Sequence, residues 1–302
     1  MIYIIGAGMA GLLAGCLNQD HIIFEKGPER ESDHKALFRC KTDAIGKILG
    51  IPFKEVTVQK SIFMDGQEVQ PSPRITNMYS KKVTGQISNR SIFNIDTCKR
   101  FIPPSNFIDI LKSRCKIRYE HTVKCSENFI PHHTPVISTM PLPNTLSLVD
   151  YEDIEADWGH KKIYVKRMHI PNCDTYCTVY YPNRDNDAYR ASIDGDTLII
   201  ESVGEHVDMV EISNSLGIDV AGKPINWWHN SEQPFGKISE INEYLRRKYI
   251  TDLTLKYGIY SLGRFATWRP KVMLDDVLND IFVIKRLINN GDYETLKQGV
   301  KS

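Results

Sequence analysis

The chain begins with four apolar residues in a row, IYII at positions 2–5, breaks into GAGMAG, and resumes with the apolar-rich stretch LLAGCLN. So short and unbroken a run reads as a strand covered on both faces, as in a parallel sheet, and the text after the glycines is compatible with a helix. A second run, HIIF at 21–24, predicts a second strand that ends against Glu25. Strand, glycine turn, helix, strand and acid thus follow one another within a single βαβ length.

Further along, residues 36–49 carry apolar positions at mixed helical spacing, and 53–64 (FKEVTVQKSIFM) alternate as a strand before the turn signal Asp65-Gly66. After Pro103-Pro104, residues 106–115 (NFIDILKSRC) predict a helix and 117–119 a strand. Residues 135–141 form a short apolar strand ending in small residues, a place where a ligand can come close. Between 161 and 201 the segments KIYVKRM, TYCTVYYP, AYRASI and TLIIES alternate with turns, which predicts an antiparallel sheet with one covered face. A helix over 238–250, a strand over 258–263 and an amphipathic helix over 273–288 complete the pattern.

The glycines of the first turn each have a physical task. Gly6 permits the tight turn, Gly8 lets the backbone approach a pyrophosphate, and Gly11 lets the helix pack closely on the strand. The unpaired N–H groups and positive dipole end of the helix favour an anion there, and Glu25 stands about 20 residues on, where a ribose-binding acid belongs. This combination points to a dinucleotide cofactor. The predicted fold class is α/β, with a discontinuous Rossmann-like domain over 1–53, 103–148 and 252–302. An antiparallel-sheet α+β substrate domain over 54–102 and 149–251 is expected to be inserted into it. Only one strand-glycine-helix-acid unit is legible, so no separate nicotinamide-binding domain is expected.

Composition changes this picture little. Of 302 residues 41% are apolar and 25% charged, the balance of a soluble globular protein, and the formal net charge is +1. That charge is unevenly spread: residues 54–124 hold thirteen Lys and Arg against six Asp and Glu, whereas 150–219 hold fifteen acids against six bases. A basic surface of this kind can attract a polyanion, so DNA is admitted as a partner, although oppositely charged solvated faces are also common in proteins that touch no nucleic acid. The seven cysteines are odd in number and include no Cys-x-x-Cys pair, which argues against a metal site or a disulfide framework and for a reducing cytoplasm. No apolar run approaches the roughly 18 residues that would span a membrane. The pair His132-His133 reads as loop residues without metal partners, and Trp227-Trp228-His229 could stack on a base or flavin, although core packing is the commoner use of such aromatics.

Three blocks resemble the flavoprotein superfamily that contains amine oxidases, protoporphyrinogen oxidase and UDP-galactopyranose mutase: IIGAGMAGLLAG with IIFEK, VISTMPLP, and IYSLGRFATWRPKVMLDDVLNDI. The resemblance implies FAD as cofactor, with Gly6, Gly8, Gly11 and Glu25 at its ADP half and Gly263 with Arg264 at the flavin end. Met9, Ala10, Lys26, Arg39, Val123, Thr139 and Leu274 join the implied cofactor-binding set. The Gly-Arg pair is similar to the mutase branch, as is YYPNRDNDAYRASIDG, where Arg190 would bind an anionic group of the substrate or stabilise reduced flavin. A strand arginine paired with Asp187 or Asp194 is the alternative for Arg190. Lys237, in FGKI, is the second catalytic candidate, able to hold a water near the flavin; a solvated surface lysine is its alternative. The text HKALFRCKTDAIGKILGIPF stands where a Gly-Gly-Arg element is usual, and with QPFGKI it resembles small FAD proteins of bacteriophages. Some of those belong to thymine hypermodification pathways, including a flavin-dependent lyase. The implied functions are oxidation or cleavage of a C–N bond of an amine, a modified nucleotide in DNA included, then a redox-neutral sugar-nucleotide rearrangement, then a non-enzymatic FAD module.

Overall fold

The computed structural model describes residues 1–29, 36–88, 91–124, 134–220 and 228–290. Its first sheet is built from the apolar runs read above. Strands β1 (Ile2–Ile5), β2 (His21–Phe24), β6 (Ile117–Arg118), β7 (Val136–Ser138) and β13 (Ile259–Ser261) lie in the order β13-β7-β1-β2-β6. All four pairings are parallel. Both faces are covered, which is why the runs show no polar alternation. On one face Ile4, Ile23, Ile137 and Tyr260 pack with residues of helices α1 (Met9–Cys16), α2 (Ala44–Leu49), α4 (Phe107–Ser113) and α8 (Leu274–Asn290). On the other, Ile5, Val136 and Ile259 pack with α5 (Leu142–Leu148) and α7 (Glu243–Tyr257). The last helix is tied to the first: the Lys285 ammonium donates to the Leu17 carbonyl at the end of α1, at 2.7 Å.

The second sheet runs β12-β8-β11-β10-β9-β3-β4, with β5 paired to β3 off this path. Its strands are β3 (Lys54–Met64), β4 (Gln67–Val69), β5 (Cys98–Ile102), β8 (His160–His169), β9 (Thr175–Tyr180), β10 (Ala188–Gly195), β11 (Thr197–Ser202) and β12 (His229–Ile238). Two features depart from the antiparallel, one-faced sheet expected. The pairing of β3 with β9 is parallel, so the sheet is mixed. Both faces are also covered: α3 (Pro73–Thr84) buries Tyr79 and Val83 against Ile62, Val165 and Ile199, while α6 (Met209–Leu216) buries Ile212 against Val179, Ala191 and Ile200. Neither helix was read from the sequence, because each is short and its apolar positions are interleaved with β-branched and small polar residues.

Boundaries elsewhere shift for local reasons. Residues 229–238 extend as β12, and the helix expected over 238–250 starts at Glu243, where the Asn242 side chain accepts from the amides of Tyr244 and Leu245. It runs to a left-handed Gly258, so the division expected at 251/252 passes through a single helix. Asp65 and Gly66 both have positive φ, the conformation that a two-residue hairpin turn requires.

Candidate functional site

The strand order reverses direction at β1, between β2 on one side and β7 on the other, and in open α/β sheets ligands bind outside the carboxyl ends of strands at such a point. The glycine turn sits there. Gly6 has φ +97°, and a Cβ on it would lie 2.4 Å from Thr139 Oγ1. A Cβ on Gly11 would lie 2.0 Å from the Gly6 carbonyl oxygen, so helix and strand cross too closely for any side chain. Gly8 is different: a Cβ there meets nothing within 4 Å. It is exposed and forms the N-cap of α1 with no side-chain cap, leaving the first-turn amides directed outward beside Met9 and Ala10.

The other residues expected near the cofactor fall into two groups. Thr139 follows β7 and bonds the turn from below, its amide and hydroxyl donating to the Ile5 carbonyl at 2.9 and 2.8 Å. Gly263 has φ +89° and abuts Ala10, where a Cβ would come within 2.9 Å, so the loop after β13 meets the start of α1. Arg264 follows it, half-buried with its guanidinium 4.6 Å from the Phe265 ring centre. Glu25 ends β2 and accepts from the amides of Ala7 at 2.7 Å and Gly27 at 2.9 Å, which fixes its carboxylate under the glycine turn. Ser261, at the carboxyl end of β13, carries a buried hydroxyl with no partner among the described residues. Lys26 is exposed, Val123 packs against the cluster around Ile5 and Val136, and Leu274 opens α8.

Arg39, expected in the cofactor-binding set, sits in the second sheet. Its guanidinium is buried in the second sheet, donating to Asp194 at 2.9 Å, to the Thr178 hydroxyl at 3.1 Å and to the Ile193 carbonyl at 2.8 Å. This arginine clamps residues 36–43 to β9 and β10. The sequence offered no signal for that pairing, because its partners lie about 140 to 155 residues away.

Arg190 and Lys237 do come together. The expected partners of Arg190 are not the ones found: Asp194 holds Arg39, and Asp187 accepts from the His206 amide. Arg190 instead pairs through Nε and Nη2 with Glu201, which is 2% exposed. The Tyr189 hydroxyl donates to the same carboxylate at 3.1 Å, and the Lys237 ammonium lies 4.6 Å from the Tyr189 ring centre. Burial alone would raise the Glu201 carboxyl, but Arg190, Lys237 and the bonds from Arg190 and Tyr189 outweigh it and hold its pKa below the ordinary value. Two residues before Lys237, Phe235 meets Phe265 at 6.2 Å between ring centres, next to Arg264. The charged cluster of the second sheet is therefore linked through one aromatic contact to the loop after β13.

Beside that loop a cleft of about 440 Å³ is lined by Arg246, Trp268, Arg269, Lys271 and Asp276 among others. Its charged residues are paired, Arg246 with Glu243 and Lys271 with Glu240 within the lining, and Arg269 with Asp280 and Asp276 with Lys41 beyond it. Among the described residues no group of three or more His, Cys, Asp or Glu side chains is placed to hold a metal, and no helix is long and apolar enough to cross a membrane. His132, His133, Trp227 and Cys125 lie outside the described residues, whereas Trp228 packs partly against the cluster around Met168 and Ile212.

No protein-family model and no curated protein sequence matches the chain. Its fold, however, recurs among solved structures. This is the Rossmann-like architecture of FAD-dependent flavoproteins, a parallel sheet joined to a second, mixed sheet. Reduced UDP-galactopyranose mutase superposes with a TM-score of 0.66 over 98% of this chain and 95% of its own, at 12% identity. A probable FAD-dependent monooxygenase from Pseudomonas aeruginosa, PqsL, gives 0.54 at 10% identity, covering 99% and 90%. The flavin-dependent brominase Bmp2 gives 0.52 at 11% identity, covering 99% and 82%.

Proposed function

We propose that the protein is an FAD-dependent enzyme whose substrate carries an anionic group, of the kind met in sugar-nucleotide rearrangement. The observation that carries the first half is Gly8: a close-packed glycine turn holds α1 against β1, yet at this one glycine the space is open and the amides beside it lack a side-chain cap. That cradle suits a pyrophosphate, with Glu25 at the ribose and Gly263 and Arg264 toward the other end of the cofactor. Bound FAD supplies an electron-pair reservoir at its isoalloxazine ring, and the chain supplies orientation and electrostatics.

The second half rests on the cluster at Glu201. Two cations, Arg190 and Lys237, act on one carboxylate in a mostly buried setting. The guanidinium of Arg190, bonded to Glu201 along one edge, can donate to a phosphate or carboxylate but not to the ammonium of an amine substrate, so it favours the rearrangement over C–N oxidation. The fold comparison with reduced UDP-galactopyranose mutase supports the same choice. Nothing in the site selects a DNA substrate, and two lysines of the basic segment are engaged locally, Lys54 by Asp174 and Lys99 by Glu55. The test is to release and weigh the cofactor of the purified protein, then to assay UDP-sugar isomerisation with the flavin reduced and oxidised. FAD with turnover only in the reduced state is expected; a colourless protein that cannot be reconstituted with FAD removes the reading.

A further inference from the structure

Consecutive residues of a strand point to opposite faces, yet Tyr189 and Arg190 both reach the carboxylate of Glu201. A β-bulge makes this happen. Between Ala188 and Arg190, β10 advances two residues while its partner β11 steps only from Ser202 to Glu201, and the alternation is re-phased. Ala188 and Ala191 accordingly share the cluster on the α6 face, and Tyr189 joins Ile199 on the α3 face. Lys82 of α3 braces the bulge from outside the strand pairing. Its buried ammonium donates to the carbonyls of Ala188 at 2.6 Å, Asn183 at 2.6 Å and Tyr181 at 2.8 Å.

The consequence is a directed guanidinium. Glu201 occupies the Nε–Nη2 edge of Arg190, while Nη1 has no hydrogen-bond partner among the described residues and the side chain remains 22% exposed. We propose that Glu201, aligned by this bulge, is a positioning residue that fixes Arg190 so that its free Nη1 edge receives the substrate's phosphate or carboxylate. The inference deepens the reading given above, because it names how the anionic group is held, and it makes a prediction opposite in sign to simple charge counting. Removing a negative charge beside two cations should tighten an anion by electrostatics alone. If Glu201 positions the arginine, the anion should instead be lost.

The experiment titrates inorganic pyrophosphate into the purified protein by calorimetry, with FAD content recorded from the absorbance of the same preparations. Glu201→Gln is expected to weaken pyrophosphate by about tenfold, the scale of one charge-assisted hydrogen bond. Glu201→Asp, which keeps the carboxylate, should recover part of that loss. Tyr189→Phe preserves the core volume and removes only the phenol bond to Glu201, and should weaken binding by about threefold; it carries the test should Glu201→Gln fail to fold. Unchanged or tighter binding in the folded variants overturns the proposal, as does a wild-type protein that does not bind pyrophosphate. The FAD reading fails separately, by loss of flavin from the wild-type protein whatever the anion titration shows.

Discussion

The two sheets solve the same problem, holding polar chemistry at a buried place, by different means. Around the parallel sheet the polar groups are mainly backbone: outward amides of α1, carbonyls taken up by Thr139, and glycines where no Cβ fits. In the mixed sheet they are side chains joined across long stretches of sequence, Arg39 to Asp194, Lys82 to three carbonyls, Arg190 and Tyr189 to Glu201. A backbone site demands particular residues at fixed spacing, because only glycine tolerates such close approach. A side-chain network demands only that the partners exist somewhere, so it leaves little local trace.

The largest effect that tests this contrast comes from two glycines three residues apart. Gly11→Ala places a methyl against the Gly6 carbonyl and should cost about 3 kcal/mol of stability in urea denaturation. Gly8→Ala should leave the unfolding midpoint of the FAD-free protein unchanged, since its methyl enters open space at an ordinary extended φ of −70°, while FAD retention falls by at least about tenfold. Equal destabilisation by both would erase the distinction between packing glycine and ligand glycine.

Next in size is Lys82→Met, which leaves three carbonyls short of a donor and should cost about 2–3 kcal/mol in the same assay. Burial pulls the pKa of this ammonium down to about 8, with Glu211, Asp187 and Asp185 opposing the shift. Between pH 8 and the ordinary lysine range the unfolded chain therefore binds more protons than the folded one. The unfolding free energy contributed by Lys82 rises with pH across that window, by at most about 1.4 kcal/mol per pH unit. Wild type minus Lys82→Met stability, measured at pH 7, 8.5 and 10, should widen with pH; a constant difference would show that the carbonyls hold the proton.

Smaller again is Arg39→Lys, which keeps the charge but loses the fork that spans Asp194, Thr178 and Ile193. A loss of about 1.5 kcal/mol with unchanged FAD content is expected. Loss of flavin without loss of stability would return Arg39 to the cofactor.

How much was legible follows from the same physics. β1, the glycine turn, α1, β2 and Glu25 were readable because buried parallel strands are uniformly apolar and the turn admits no alternatives at Gly6 and Gly11. β3 and β8 to β11 were readable from β-branched alternation, but their parallel junction at β3–β9 was not, since strand direction leaves no mark in side-chain periodicity. Arg190 and Lys237 were named through resemblance and the fold brings them together, whereas Glu201, which joins them, went unnoticed inside TLIIES. The only sequence signal for it was a lone acid in an apolar strand.

The placement of β13 and α8 also bears on when the protein matures during its synthesis. Residues 259–261 lie beside 136–138, which lie beside 3–5, and Lys285 reaches back to Leu17. The glycine turn leaves the ribosome well before the strand and helix that press on it. The turn must therefore wait for its neighbours while the residues between them are made, at rates of about 5–20 residues per second. Nascent chains halted before residue 259 should therefore stay protease-sensitive at α1, and chains released past residue 290 should become protected there, the glycine-turn motif maturing long after it is made.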